Sequence, residues 1–215
     1  MSLTSRIQAL TAYANEVTGE SDTTLADAVA TLAEGYGQGG GYSVDDIALN
    51  LEPSGSIVVN GNVATYAFYN KNRITSIHVK GQITTNSLAN ATGLLTAVIE
   101  HLVGGGNYVF ANGSSLKTVD IIMSTTGKIT GSRMFQNCSS LTTMILRQTT
   151  FCEVAAQAFT SSPAASGGAG ITVYVPSALK ATYEANSVWS GLAVTFASIE
   201  GSIYETQYAD GTPIE

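Results

Sequence analysis

The sequence predicts an α/β repeat fold: a short solenoid of about five coils with one β-strand each, N-terminal helices and an α/β C-terminal cap. Three observations predict it. One pattern of apolar residues and Asn recurs through residues 66–175. The first residues of successive copies are 20, 22, 25 and 24 positions apart, a period typical of solenoids. Helix-like and cap-like stretches flank the repeats.

Each copy begins with a bulky apolar residue, has Asn two positions later and has apolar residues at offsets six, nine and eleven. The alternation that ends each copy is typical of a short strand with one buried face. One unit cannot bury its apolar row alone, so neighbouring units must stack. Hairpins in a β-sandwich would also alternate, but four copies with matching offsets favour the solenoid. The copies are Phe68/Asn70/Ile74/Ile77/Val79, Leu88/Asn90/Leu94/Ala97/Ile99, Phe110/Asn112/Leu116/Val119/Ile121, Phe135/Asn137/Leu141/Met144/Leu146 and a degenerate fifth, Phe159 with Ile171/Val173/Val175.

Two stretches, AFYNKNRITSIHV (67–79) and MFQNCSSLTTMIL (134–146), resemble the BspA-like (Treponema-type) leucine-rich repeats. Units of that family read roughly Ala-Phe-x-x-Cys-x-x-Leu-x-x-Val-x-Ile. Copies one, three and four match the Phe, only Cys138 matches the Cys, and Leu88 replaces the Phe in copy two. The closing stretch 170–189 also resembles the ends of such arrays. The resemblance implies a short leucine-rich-repeat solenoid with a binding or adhesion role rather than an enzyme.

Residues 10–48 resemble segments in structural proteins of phages and prophages of gut Gram-positive bacteria. This resemblance implies a phage or prophage particle component that contacts a host-surface ligand, either a protein or a glycan. The alternatives are a purely structural spacer of a particle and a cell-surface adhesin of a gut bacterium. The start, Met1-Ser-Leu-Thr-Ser-Arg6, shows no secretory signal peptide. The location that the resemblances imply is nevertheless the virion, or the extracellular space or cell surface.

The composition excludes several classes of protein. Charged residues are 12% of 215, about half the usual share, as in extracellular or virion β-rich proteins. A net charge of −7 repels phosphate backbones, so nucleic-acid binding is not expected. The sequence contains no run of 18 apolar residues, so no membrane span is expected either.

The N-terminal segment, residues 1–35, has two stretches in which apolar residues recur at helical spacing. The first helix is predicted over residues 5–18 and the second over about 24–34, each ended by a Gly. Two such helices bury too little surface to be stable alone. They either cap the array or form a homo-oligomer. The Gly-rich linker, residues 36–42, separates them from the solenoid with its caps, residues 43–200.

The two ends of the solenoid need shielding. A hairpin over residues 57–63 is predicted to shield the first coil, because Asn60-Gly61 is typical of a tight turn. At the other end, Pro176-Ser177 starts a helix to about Asn186, with Leu179, Tyr183 and Trp189 packed inward. A strand over residues 193–199 completes this cap, and residues 201–215 are predicted to form an extended tail.

The sequence shows no catalytic pattern, so we expect neither an enzyme nor a cofactor. Glu100-His101 is the one acid–His neighbour pair, and no nucleophile is specially placed near it. The cysteines, Cys138 and Cys152, are 14 residues apart without a CxxC or a neighbouring His, so zinc is not supported. Both are predicted to be buried, reduced thiols, with a disulfide between neighbouring coils as the alternative.

The strands do predict a candidate binding face. If offsets six, nine and eleven point inward, the alternate residues point outward in two rows. Three of these residues, Val98, Ile122 and Ile145, are aliphatic, which a wholly solvated face does not favour. We therefore expect the N-terminal helices, a partner chain or a ligand to cover it in part; scattered surface aliphatics are the alternative. The rows are His78, Val98, Asp120, Ile145 and Tyr174, then Lys80, Glu100, Ile122 and Arg147.

Overall fold

A computed structural model of the chain describes residues 55–102, 106–123, 128–129, 132–155 and 157–214. The predicted helices of residues 1–35 and the linker of residues 36–42 lie outside the described residues.

Within the described residues, seven parallel strands form one sheet and two further parallel strands form a second. The strands of the large sheet follow each other in the order β1-β2-β3-β4-β6-β8-β9, as expected for a solenoid with one strand per coil. The small sheet pairs β5 with β7. The elements are β1 Gly55–Val59, β2 Ile74–Gln82, β3 Thr96–Leu102, β4 Thr118–Met123, β5 Lys128–Ile129, β6 Thr143–Leu146, β7 Glu153–Val154, β8 Ile171–Val175, α1 Ser177–Ala185 and β9 Val194–Ser198.

The strand register places the repeat offsets on a common inner face. Ala97 of β3 lies between Ile77 of β2 and Val119 of β4, and Val119 is opposite Met144 of β6. Every residue at offsets six, nine and eleven of copies one to four is buried, and so are Ile171, Val173 and Val175 of the degenerate fifth copy. The predicted leucine-rich-repeat solenoid is therefore confirmed, and its core is the stack of these apolar rows.

Aromatic rings from three coils stack within that core. Phe135 lies between Phe110 and Phe159, with ring centroids 5.3 and 5.1 Å apart and interplanar angles of 6° and 10°. In copies three to five, the residue that opens the copy thus packs face to face against its counterpart in the next coil. In copy two the same position is the fully buried Leu88.

The repeated Asn residues have a backbone role that the offsets alone did not show. Asn70, Asn90, Asn112 and Asn137 have φ angles of 60°, 59°, 62° and 58°. Asn adopts this left-handed conformation more readily than other non-Gly residues. Their amides also form a ladder between coils: Asn137 donates to Asn112, and Asn112 to Asn90, both at 2.7 Å.

The C-terminal cap has the predicted helix and strand. Helix α1 buries Tyr183, the turn that follows buries Trp189, and both rings pack on Phe196 of β9. The Tyr183 hydroxyl accepts from the Cys152 N–H at 3.0 Å, and the Trp189 indole donates to the Cys152 carbonyl at 2.9 Å. Both polar tips are therefore satisfied where the cap meets the last coils.

The predicted hairpin at residues 57–63 is wrong. Strand β1 instead runs parallel to β2, with Ile57 opposite Ile77, and Val63 forms a parallel bridge to Ile83. Strand β1 therefore belongs to a further coil. The repeat pattern missed that coil because Ala48 and Ser54 stand at the opening position and offset six, although Asn50 keeps the Asn position.

Candidate functional site

The outer face of the large sheet presents rows of side chains that the register aligns. The first row, here called the hydroxyl row, contains Ser or Thr on all seven strands. Most of its members are half-buried, and those on the two edge strands are exposed. The row is Ser56, Ser76, Thr96, Thr118, Thr143, Thr172 and Thr195. Stacked strands hold neighbouring members roughly 5 Å apart.

The middle row is the first of the two predicted rows. Strand pairing aligns His78, Val98, Asp120, Ile145 and Tyr174 as predicted, and extends the row to Val58 at one edge and Ala197 at the other. Val98 and Ile145 are 1% and 0% exposed. This part of the outer face is covered.

The second predicted row is less regular. The pairing of β2 with β3 shifts beyond Val79, so the structure does not place Lys80 opposite Glu100. Lys80 is exposed, whereas Glu100, Ile122 and Arg147 are half-buried. Of this row, Glu100 and Arg147 contact residues of the middle row.

The cover is the segment that the sequence predicted to be an extended tail. Residues 201–214, here called the strap, lie across the middle row and contact it from Tyr174 on β8 to His78 on β2. The sequence analysis expected a cover, and named the N-terminal helices, a partner chain or a ligand. The cover in the described residues is the strap.

Arg147 and Asp120 hold the centre of the strap. The Arg147 guanidinium donates from Nε and Nη2 to the two carboxylate oxygens of Asp120, both at 2.7 Å. It also donates to the main-chain carbonyls of Tyr204 at 2.6 Å and Gln207 at 2.8 Å. Asp120 in turn accepts from the main-chain N–H of Ala209 at 3.0 Å. The pair therefore satisfies three main-chain groups of the strap.

His78 holds the far end of the strap. Its Nδ1 lies 3.0 Å from Asp210 Oδ2, and its Nε2 lies 2.6 Å from Glu100 Oε1. Because both ring nitrogens face carboxylates, only the imidazolium form donates to both. The Thr212 hydroxyl donates to Asp210 Oδ1 at 2.7 Å, which fixes the carboxylate against the ring.

Two tyrosines of the strap pack on side chains of the outer face. The Tyr208 ring lies edge-on to His78 with centroids 5.0 Å apart, and the Arg147 guanidinium carbon lies 5.2 Å from the Tyr208 centroid. The Tyr204 ring packs edge-on against Tyr174, with centroids 4.8 Å apart. The strap thus adds aromatic contacts to its polar ones.

The surroundings shift the pKa values of Asp120 and Asp210 in opposite directions. Burial raises the pKa of Asp120, and the hydrogen bonds and positive charge of Arg147 only partly offset this. Burial also acts to raise the pKa of Asp210, but the hydrogen bonds from Thr212 and the neighbouring His78 bring that pKa below its ordinary value. The surroundings therefore favour the ionised form of Asp210.

The repeats themselves match a known family. Residues 61–166 match the family model described as BspA type leucine rich repeat region, in 6 copies. The array is similar to BspA-type leucine-rich repeats. BspA-type repeats are typically surface-associated and non-enzymatic, and they indicate a protein-binding or adhesion module. No curated protein and no solved structure matches the chain.

Among the described residues, no group of three His, Cys, Asp or Glu side chains is arranged to hold a metal ion. His78 has a carboxylate at each ring nitrogen, and the Thr212 hydroxyl lies 3.4 Å from Nδ1, the nitrogen that already faces Asp210. No helix in the described part of the chain is long and apolar enough to cross a membrane.

Sequence reasoning found the face but missed the residues of the strap. Tyr204, Tyr208 and Asp210 lie in a polar stretch without helix or strand periodicity, so no pattern placed them near β2 or β6. One signal was present: Asp120 and Arg147 carry charge on a face that the aliphatic residues predicted to be covered, and charged residues are almost never buried without partners.

Proposed function

We propose that this chain is a non-enzymatic binding and adhesion module, and that the outer face of its solenoid contacts a protein ligand on a host or cell surface. The observation that carries the proposal is the in-register outer face itself. Its hydroxyl row runs across all seven strands and remains partly exposed, beside a middle row that the strap covers. Such a flat array of hydroxyl groups offers donors and acceptors at fixed spacing without a charge barrier.

The scaffold supports this role because it is rigid. The inner rows are buried throughout the repeat, and every strand of the large sheet is hydrogen-bonded to its neighbours. A contact surface that is ordered before binding loses less conformational entropy when it binds.

The resemblance of residues 10–48 to phage structural proteins favours a more specific form of the proposal. In that form the chain is a component of a phage or prophage particle, residues 1–35 assemble copies of it, and the solenoid faces the host. A structural spacer and a cell-surface adhesin are the alternatives, and a glycan is the alternative ligand.

The binding surface is tested with variants of the hydroxyl row. We would replace Thr118 and Thr143 by Glu, one at a time, with Thr182→Glu on the exposed side of α1 as a control of equal charge. These variants and the unmodified chain are compared for binding to immobilised extracellular matrix proteins, mucins and cell-wall glycans. We expect at least tenfold weaker binding only for the hydroxyl-row variants. Equal binding by all of the chains would contradict a contact through this face.

The particle form of the proposal is tested by the solution mass of the full chain. Light scattering should give a homo-oligomer, and Ile7→Glu with Leu10→Glu, on the apolar stripe of the first predicted helix, should give a monomer. A monomeric unmodified chain would leave residues 1–35 as a cap and remove the assembly role.

A further inference from the structure

We propose that the middle row is a peptide-binding site, which the strap occupies within the same chain and which takes a turn-forming segment of a partner protein with the pattern Tyr-x-x-x-Tyr-x-Asp. The pattern is that of Tyr204, Tyr208 and Asp210 in the strap. This inference rests on the proposed function, because it names the ligand class of the same outer face.

Side chains of the site form hydrogen bonds with the main chain of the segment that lies in it. Arg147 binds two carbonyl oxygens and Asp120 binds one N–H, while the two side chains also bind each other. Asp120 is 0% exposed. A buried charged pair whose remaining hydrogen-bonding capacity is directed at a peptide backbone is suited to hold a segment folded as the strap is, with a 3-10 turn at Ile203–Glu205 and an antiparallel bridge from Gln207 to Pro213. Such a pair is costly if that segment leaves without replacement.

Side-chain contacts add the sequence preference. His78 lies against the Asp210 carboxylate, Tyr208 packs on both His78 and Arg147, and Tyr204 packs on Tyr174. These contacts come from β2, β8 and the end of β6, so they fix the positions of two rings and one carboxylate along the occupant. The partner is therefore a tyrosine-containing segment that places a carboxylate against His78.

The strap can leave without unfolding the solenoid. Within the described residues, no backbone–backbone hydrogen bond joins residues 203–214 to β2, β3, β4 or β6. The backbone bonds of the strap are local, such as Tyr208 to Thr212 and Ile214 to Thr206. The strap is held by side chains, so a competing segment with the same contacts can replace it. Because the strap is tethered, its effective concentration is high, and it lowers the apparent affinity for any competitor.

The test uses the full chain with an opened strap. Tyr208→Ala with Asp210→Ala weakens the strap and leaves His78, Asp120 and Arg147 unchanged. The probe is a fluorescent peptide with the sequence of residues 201–214, followed by polarisation. We expect at least tenfold tighter binding to the opened chain than to the unmodified chain. The peptide with Asp210→Ala should lose binding, whereas the peptide with Glu205→Ala, which changes the charge equally, should retain it.

Several outcomes would overturn the proposal. The opened chain could fold and yet not bind the peptide. The peptide could bind the opened and the unmodified chains equally, or the Asp210→Ala and Glu205→Ala peptides could lose affinity equally. Straps exchanged between copies of the unmodified chain, seen as a dimer by light scattering, would make a second copy the occupant instead. If the opened chain does not fold, hydrogen exchange on the unmodified chain tests whether the peptide displaces the strap. Excess peptide should speed exchange of the Ala209 amide and leave the sheet amides unchanged, and unchanged exchange would refute displacement.

Failure here is distinguishable from failure of the proposed function. Loss of peptide binding with retained, hydroxyl-row-dependent binding to a surface ligand would refute only the peptide site.

Discussion

Asp120 and Arg147 form a two-pronged ion pair across neighbouring strands, with both nitrogen–oxygen distances at 2.7 Å. Asp120 lies on β4 and Arg147 directly follows β6, and Asp120 stands in the middle row between the aliphatic residues Val98 and Ile145. The cost of burying these charges is offset only because each also bonds to the backbone of the strap. The pair therefore couples the solenoid face to residues 204–209.

The first prediction concerns that pair. Arg147→Leu should lower the free energy of unfolding by about 3–5 kcal/mol, because it leaves the Asp120 carboxylate buried without its partner. Asp120→Val with Arg147→Leu should recover part of that loss, since the neighbours of Asp120 in the middle row are already aliphatic. Urea unfolding measures both. A double variant as unstable as the single one would contradict the assignment of the loss to an unpaired charge.

The second prediction concerns the stacked rings. Phe135→Ala should cost about 3–5 kcal/mol, because it removes a fully buried ring and leaves a cavity between two others. Phe135→Leu should cost clearly less, since copy two already accommodates Leu88 at this position. Thermal and urea unfolding of the two variants give the comparison, and equal losses would refute a role for ring volume.

The third prediction separates the two roles of the Asn ladder. Asn112 has a φ of 62° and bonds to Asn90 and Asn137. Asn112→Gly keeps the conformation but loses the ladder, and should cost about 0.5–1.5 kcal/mol. Asn112→Ala also forces Ala into the left-handed region, which adds about 1 kcal/mol. Equal unfolding energies for the two variants would show that the backbone conformation contributes nothing.

The fourth prediction concerns thiol reactivity. Both cysteines are buried thiols, and burial raises the pKa of Cys138 to about 12. At about pH 8, near the ordinary pKa of a free thiol, the native chain should therefore not react with a disulfide reagent, and should react once it is unfolded in urea. Ser139→Cys, at an exposed position, should react at once in the native chain. Fast native reaction of Cys138 would contradict its burial.

The fifth prediction concerns acid. Asp210 has a lowered pKa in the folded chain, so its contribution to stability is present above its unfolded pKa and is lost as the pH falls through the folded value. Asp120 has a raised pKa, so its contribution has the opposite sign: it is present at low pH and is lost as the pH rises through the raised value. Asp210→Asn should therefore flatten the loss of stability below about pH 4, where an unperturbed Asp side chain titrates. If the free energy of unfolding fell with pH as steeply in this variant as in the unmodified chain, ionised Asp210 would not contribute to stability.

The repeat and the core could be read from the sequence because both depend on local periodicity. The offsets from Ile74 to Val79 recur in copies one to four, and a strand side chain alternates with period two, so the buried face follows from spacing alone. The same reasoning placed Tyr183 and Trp189 in the cap. The same reasoning failed at β1, because Ala48 and Ser54 stand where the repeat has large apolar residues. Strand β1 nevertheless pairs in parallel with β2.

By itself, the sequence determined the solenoid, its inner rows, the alignment of His78 with Tyr174 on the outer face, and the burial of both cysteines. Only the tertiary structure decided what covers that face. The strap returns across the sheet more than 50 residues after Arg147, held by side-chain bonds to main-chain groups. Almost every residue has a main-chain carbonyl and N–H group. A side chain that bonds to these groups therefore requires no particular residue type in its partner, and the sequence shows no pattern for the contact.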